Sequence, residues 1–244
     1  MNAVAPPPAP LADAGLSVLS PRYRATTLGM VALISLVAFE ALAVAAAMPT
    51  VAVALDGLKL YALAFGGALA TSVIGMTVAG RLCDARGPAT PLWLGLACFV
   101  AGLLLAGLAP SMDVLILGRL LQGLGIGAIS VSLYVLVART FPETLQPKVF
   151  AAFSAGWVVP SLVGPGLSGL IVQYLGWRWV FLLVPALALP AALLLRPALR
   201  DSARPPAAQR DTHAVVRWAI GAAAAALLLY LGGQQSGVYA AVLM

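Results

Sequence analysis

Residues 26–53 read TTLGMVALISLVAFEALAVAAAMPTVAV, a run in which Glu40 is the only ionisable side chain. An α-helix needs about 20 apolar residues to cross a bilayer core about 30 Å thick, so this run is long enough to span a membrane. Six further runs of the same kind follow it, at residues 60–80, 92–109, 114–138, 149–175, 180–195 and 215–233. The sequence therefore predicts an all-α membrane protein with seven transmembrane helices.

Composition excludes most other classes of protein. Of 244 residues 62% are hydrophobic and 9% are charged, against roughly a quarter charged in a soluble domain. Two cysteines, Cys83 and Cys98, and one histidine, His213, cannot form a disulfide framework or a Cys/His metal site, so we expect no metal and no cofactor. The net charge of +6 does not indicate nucleic acid, because the basic residues are spread between apolar runs rather than clustered with aromatic ones.

The basic residues predict an orientation, since loops rich in Lys and Arg stay in the cytoplasm. With a cytoplasmic N-terminus, the outer loops hold only Lys59 and Arg178, and Arg119 lies inside the fourth run. The remaining eleven of the fourteen basic residues are then cytoplasmic. We expect a multi-pass protein of the inner or plasma membrane with its N-terminus in the cytoplasm.

Four regions follow from these runs. Residues 1–25, rich in Ala and Pro, are expected to be a disordered cytoplasmic tail, and residues 26–195 a six-helix bundle. Residues 196–214, rich in Arg, Pro and Ala, are expected to be a cytoplasmic linker. Residues 215–244 then hold the seventh helix and the start of a second half.

A glycine spacing indicates an internal repeat. Three glycines each lie 89 residues before a counterpart: Gly75, Gly80 and Gly87 against Gly164, Gly169 and Gly176. Three runs separate equivalent positions, and an odd number of crossings inverts the second copy. The spacing favours an inverted three-plus-three repeat, which is typical of secondary transporters, although chance matches remain an alternative in a chain with 24 glycines.

Two charges lie inside the predicted membrane segments. Glu40 is about 12 Å below the outer end of its helix and Arg119 about 8 Å below the same face, at 1.5 Å per residue. An unpaired charge there costs about 3 kcal/mol or more, so we hypothesise that the two residues pair between the first and fourth helices. Glu40 can also serve as a proton carrier; the alternative is a glutamate that points into a wet cavity without that role.

The fourth and fifth runs carry further candidate residues. Gln122, Ile126 and Ser130 share a helical face with Arg119, and they line either a substrate cavity or an ordinary interhelical seam. The small-xxx-small pair Gly123 and Gly127 indicates close packing. The fifth run is crowded with glycine and proline and is expected to be kinked and closely packed, either for packing alone or as a bending point. These residues are Gly156, Pro160, Gly164, Pro165, Gly166 and Gly169.

Five motifs resemble the major facilitator superfamily. GRLCDARG at residues 80–87 resembles its signature cytoplasmic loop, and RLLQG at 119–123 is similar to its fourth-helix motif. Gly156 with GPGLSG at 164–169 resembles the fifth-helix motif associated with antiporters, and GWRWVF at 176–181 resembles the start of helix six. Glu40, nine residues before a proline, matches helix one of the drug:proton antiporter branch.

The resemblance spans about residues 25–233 and implies roles for individual residues. It implies proton coupling by Glu40 and Arg119. It implies a cytoplasmic gate motif formed by Gly80, Leu82, Asp84, Arg86 and Gly87, and an antiporter helix shaped by Gly156, Gly164, Pro165 and Gly169. The chain departs from the family pattern where Pro88 and Ala89 replace basic residues, where Ser168 replaces a motif glycine, and where helix one has Glu rather than Asp.

The resemblance also implies a fold of twelve or fourteen helices in two halves. The chain then corresponds to the six-helix N-terminal bundle plus helix seven, so we expect a truncated chain. A complete substrate path would need the missing C-terminal half or a second chain.

The expected function is proton-coupled efflux of small hydrophobic or cationic compounds, with the proton gradient as energy source. The partners are then a small-molecule substrate, protons and the lipid bilayer. Two alternatives stay open, a non-transporting half that acts as an assembly partner and an uptake carrier for a small nutrient. The uptake carrier would need more Asn, Gln and aromatic residues on the cavity faces. An enzyme is the weakest interpretation, because no nucleophile, base and orienting group converge.

Overall fold

The computed structural model describes residues 17–201, together with Gly221 and Ala224. The described part is helical and contains no strand, which confirms the all-α prediction. A single 3-10 turn, Leu58–Leu60, precedes the second helix. The helices are α1 (Arg24–Ala54), α2 (Tyr61–Arg86), α3 (Ala89–Gly107), α4 (Met112–Thr140), α5 (Gln146–Tyr174), α6 (Arg178–Leu193) and α7 (Arg196–Asp201).

The first six helices correspond to the first six predicted runs. Helices α1 to α5 are long and apolar enough to cross a membrane, whereas α6 is equally apolar but has only 16 residues. The seventh predicted run, residues 215–233, lies outside the described residues except for Gly221 and Ala224, which are both helical.

The predicted tail and linker lie mostly outside the described residues, and their described parts are ordered. The tail prediction reached too far, because residues 17–23 form turns that pack on the bundle and α1 begins at Arg24. Tyr23 is buried, and the Thr27 hydroxyl donates to the Val18 carbonyl over 2.8 Å. The first residues of the predicted linker form α7.

The helices pack in a pattern that follows the predicted repeat. Helix α1 packs against α5 and α6, and these three form one group of helices. Helix α4 packs against α2 and α3, which form the other group, and a contact between α3 and α6 joins the two groups. If α1 is exchanged with α4, α2 with α5 and α3 with α6, the same set of helix contacts results. The inverted repeat of the sequence is therefore visible in the packing, and α1 and α4, its two first helices, make little direct contact.

One pair of repeat glycines has the same backbone conformation in both copies. Gly87 follows α2 with φ 81°, and Gly176 follows α5 with φ 90°. This left-handed conformation favours glycine because a Cβ would be strained there. It allows the chain to end one helix and enter the next, and the Gly87 N–H donates to the Cys83 carbonyl over 3.0 Å.

Glycines bring the backbones of α2 and α4 into contact. A Cβ added at Gly127 would overlap the Ser72 carbonyl oxygen, and one added at Gly123 would overlap the Ala68 carbonyl oxygen. Backbone atoms cannot move aside as a flexible side chain can, so a larger residue would push the helices apart. The predicted small-xxx-small packing of α4 is confirmed.

Helix α5 packs less closely than predicted. Its buried residues form one narrow stripe on the side that faces α1, and most of the remaining residues of the helix are exposed. A Cβ added at Gly166 or Gly169 would have no neighbour within 4 Å. The expected close packing is found only along this stripe, because α5 packs mainly on α1. The stripe comprises Val149, Phe153, Gly156, Pro160, Gly164, Ser168 and Ile171.

The two kinds of glycine predict opposite effects of one substitution. Gly127→Ala should lower stability by about 1–3 kcal/mol, because the new methyl group overpacks the α2–α4 contact. Gly166→Ala is the matched control and should be neutral or stabilising by up to about 1 kcal/mol, because alanine favours a helix and the site is open. Thermal unfolding in detergent compares them; equal melting temperatures would mean that the α2–α4 contact does not constrain the bundle.

Candidate functional site

A buried ion pair links α1 to α4. The Arg119 Nη1 atom lies 2.8 Å from the Glu40 Oε1 atom, close enough for a salt bridge. Glu40 is fully buried and Arg119 is 6% exposed. The pair hypothesised from the similar depth of the two charges is present.

The local sequence explains why both side chains reach one point. Glu40 lies on the buried face of α1, between the buried residues Val37 and Val44. Arg119 lies near the beginning of α4 and extends across the space that separates α4 from α1. Its Nε atom also donates to the Ala64 carbonyl of α2 over 3.5 Å, so the arginine contacts three helices.

Gln122 completes the network from the next turn of α4. It is fully buried, and its Oε1 atom accepts a hydrogen bond from Arg119 Nη1 over 2.5 Å. One guanidinium nitrogen therefore serves both the Glu40 carboxylate and the Gln122 amide. Arg119 thus has two uncharged hydrogen-bond acceptors besides the carboxylate, the Gln122 amide oxygen and the Ala64 carbonyl oxygen.

Two polar atoms of this network have no hydrogen-bond partner within the described chain. They are Glu40 Oε2, an acceptor, and Gln122 Nε2, a donor, and both are buried. A buried polar atom without a hydrogen bond costs about 1–3 kcal/mol. The two oxygens of the Glu40 carboxylate therefore differ, because Oε1 faces Arg119 and Oε2 faces no donor of the described chain.

The other two predicted cavity residues lie apart from this network. Ser130 donates to the Ile126 carbonyl of its own helix over 2.8 Å, and both residues are half-buried. They continue the face of α4 that carries Arg119 and Gln122, but they do not join its hydrogen bonds. Their proposed contact with substrate stays a prediction.

The predicted gate motif occupies the C-terminal end of α2. Asp84 and Arg86 are exposed, and within residues 17–201 Asp84 has no ion pair. A contact from α4 reaches this end, where Arg139 Nη2 donates to the Cys83 carbonyl over 3.1 Å. Gly80 and Leu82 are half-buried, and a Cβ added at Gly80 would have no neighbour within 4 Å. The gating role of the motif stays a prediction.

The predicted antiporter motif lies along the contact between α5 and α1. Gly156 and Gly164 are buried there, whereas Pro165 and Gly169 are exposed. Ser168, the departure from the family motif, is fully buried and donates to the Ala43 carbonyl of α1 over 2.6 Å. The sequence alone gives no signal for this role of Ser168, because the acceptor is a backbone carbonyl.

The fold and the site together define the class of protein. Apolar helices in two inverted copies, with one charged pair buried between the copies, are typical of secondary transporters. The sequence profile of the Major Facilitator Superfamily matches residues 28–244, and the chain belongs to this family. It is therefore a multi-pass membrane protein of a family that transports small molecules.

Relatives and solved structures are consistent with this assignment. A probable multidrug-efflux transporter of Mycobacterium tuberculosis is 32% identical over 212 residues, which cover 84% of this chain and 45% of that protein. The multidrug transporter protein MdtP of Bacillus subtilis is 28% identical, covering 81% of this chain and 36% of that protein. The chain thus spans less than half the length of these relatives.

The structural comparison concerns the fold alone. The crystal structure of a peptide transporter, POT, in complex with sulfate matches with a TM-score of 0.63 at 16% sequence identity. The match covers 87% of this chain and 46% of that one. The six-helix arrangement therefore has the same fold as part of that structure.

The ion pair predicts non-additive effects on stability. Glu40→Gln and Arg119→Gln should each destabilise the bundle by about 3–5 kcal/mol, because each leaves one buried group without its charged partner. The double variant should lose less than the sum of the two, since it buries no charge. Unfolding of all four proteins in one detergent provides the cycle, and strictly additive losses would show that the two groups do not interact.

Proposed function

We propose that this chain is part of a proton-coupled antiporter that exports small hydrophobic or cationic compounds. The observation that carries the proposal is the Glu40–Arg119 pair. The pair is buried, and it joins two helices that otherwise make little contact. One oxygen of its carboxylate, Oε2, has no hydrogen-bond partner within the described chain and is available to bind a proton. The multidrug-efflux relatives support the substrate class.

Protonation of Glu40 would weaken the link between α1 and α4. A proton on Oε2 neutralises the carboxylate and removes its charge attraction for Arg119. The arginine retains its hydrogen bonds to Gln122 and to the Ala64 carbonyl, so it does not become an isolated buried charge. With the charge attraction removed, α1 and α4 can move relative to each other, as alternating access requires.

Exchange of proton for substrate follows from competition at one carboxylate. A cationic compound near Glu40 would satisfy the same negative charge that a proton or Arg119 satisfies. Binding of either one therefore weakens binding of the other, which is the thermodynamic coupling that antiport needs. Hydrophobic compounds would be accommodated by apolar side chains further along the same face of α4, among them Ile126, with Ser130 as a neighbouring polar group.

The orientation, the gate and the energy source complete the scheme. The N-terminus lies in the cytoplasm and the protein in the inner or plasma membrane, in agreement with the distribution of Lys and Arg. The gate motif closes the cytoplasmic side through Asp84. The glycines and Pro165 of α5 allow this helix to bend. The complete path includes a second six-helix half, from the same polypeptide or another chain, and the proton gradient supplies the energy without a cofactor.

The central test replaces the proposed proton carrier. Glu40→Gln should abolish efflux of a cationic dye driven by a proton gradient, because glutamine cannot bind and release a proton. The assay follows dye fluorescence in inverted membrane vesicles that contain the whole native gene product. Glu143→Gln, the same change at an exposed loop residue, should transport normally. Unchanged efflux by Glu40→Gln at every pH would exclude the coupling role.

A second test concerns the cation of the pair. Arg119→Ala should reduce efflux about as severely as Glu40→Gln, because the remaining carboxylate loses the partner that competes with the proton. Arg24→Ala, at the exposed beginning of α1, is the matched control and should remain active. Normal transport by Arg119→Ala would show that the pair is only structural, and a whole gene product that moves no dye would favour the non-transporting alternative.

A further inference from the structure

A cleft of about 460 Å³ lies between α3 and the short helix α7, away from the Glu40 network. It is lined by Ala89 and Trp93 of α3 and by Arg196, Leu199 and Arg200 of α7. None of these residues takes part in the proposed proton coupling. The combination of an aromatic side chain and two guanidinium groups in one cleft suits a ligand of opposite charge.

The structure holds the two arginines on one side of α7. Arg196 and Arg200 are one helical turn apart and exposed, whereas Leu195 and Leu199 are buried against the bundle. The buried leucines anchor the helix, so the guanidinium groups are displayed over the cleft. The Arg196 Cζ atom lies 6.0 Å from the centre of the Trp93 ring, within range of a cation–π contact.

The cleft carries an excess of positive charge. Among the residues that the structure describes, neither arginine forms an ion pair with a carboxylate. Ala89 is the first residue of α3, and the N-terminus of that helix has no side-chain cap, which adds positive partial charge at the edge of the cleft. Two arginines suit a phosphate group, since each guanidinium can donate two parallel hydrogen bonds to its oxygens.

The position relative to the bilayer identifies the source of the phosphate. Helix α3 begins and α6 ends on the side of the bundle where α1 begins, so the cleft lies at one membrane surface. Trp93 is half-buried in the second turn of α3, at the depth where tryptophan favours the lipid headgroup region. Leu193, the last residue of α6, and Leu194, in the turn before α7, are exposed and can contact acyl chains.

We propose that this cleft binds the headgroup phosphate of an anionic phospholipid. The arginines hold the phosphate, Trp93 lies against the headgroup region, and the exposed leucines contact the acyl chains. Basic pockets beside transmembrane helices are a recurring means of binding acidic lipids. The bound lipid would fasten α7 to α3 and thereby fix the end of the six-helix bundle.

The test measures lipid binding directly, so its result does not depend on transport. The purified full chain in detergent is mixed with dioleoyl phosphatidylglycerol or with dioleoyl phosphatidylcholine, and native mass spectrometry counts the bound lipids. We expect saturable binding of phosphatidylglycerol and much weaker binding of phosphatidylcholine. The double variant Arg196→Gln/Arg200→Gln should bind phosphatidylglycerol about tenfold more weakly, since each arginine contributes to attraction by the anionic lipid.

A matched control separates the cleft from overall charge. Arg22→Gln/Lys148→Gln removes the same charge from exposed positions on the same membrane side and should bind phosphatidylglycerol like the unmodified chain. Arg196→Lys/Arg200→Lys should restore most of the binding. Equal weakening in the control and the cleft variant would overturn the proposal.

Two further outcomes would also contradict it. Phosphatidylcholine binding as tight as that of phosphatidylglycerol would show that negative charge is not recognised. Displacement of the lipid by millimolar inorganic phosphate would show that the cleft takes free phosphate rather than lipid. Melting temperatures of all variants confirm that loss of lipid binding does not reflect unfolding.

Discussion

A membrane-spanning helix cannot use the hydrophobic effect to find its partners, and the packing of this bundle follows from that fact. Lipid tails are as apolar as leucine, so helices associate through close backbone packing and through polar contacts. The chain uses both means in separate places. Glycines bring α4 against α2, where a Cβ added at Gly127 would overlap a carbonyl oxygen, and a charged pair joins α4 to α1.

This division makes the two halves of the repeat unequal in spite of their common topology. In the α2–α4 contact, backbone atoms of the two helices pack directly on each other. In the equivalent α5–α1 contact, α5 packs through a single stripe of buried residues. Ser168 contributes a hydrogen bond to that stripe, and Gly169 faces open space. A helix held along one stripe can bend or rotate with little disturbance of its packing, which suits a moving element better than a rigid one.

The Glu40–Arg119 pair is an energetically costly way to join helices, because both charges must leave water. Unlike a glycine contact, however, it depends on the charge of a carboxylate. A glycine contact stays as it is once formed, but a carboxylate loses its charge when it takes a proton. The acceptors on Gln122 and Ala64 limit the penalty on the arginine when that happens. In the proposed mechanism, the network would link protonation of Glu40 to the contact between α1 and α4.

Hydropathy and residue spacing were enough to predict the six apolar segments, the inverted repeat and the two intramembrane charges, because these properties act along the chain. The similar depth of Glu40 and Arg119 was enough to predict that they meet. The 89-residue spacing also included Gly87 and Gly176, the two glycines that adopt a positive φ at the ends of α2 and α5. A positive φ is a local property of the backbone, so a glycine in the sequence can indicate it.

The contacts between helices, in contrast, could be read only from the folded chain. There Gly127 packs on a backbone while Gly166 does not, although both are glycines in transmembrane helices. Folding also places the Ala64 carbonyl beside Arg119 and brings Arg196 to Trp93. Backbone acceptors have no side-chain signature, and the neighbour of a glycine belongs to another helix, so the sequence of one segment does not contain this information.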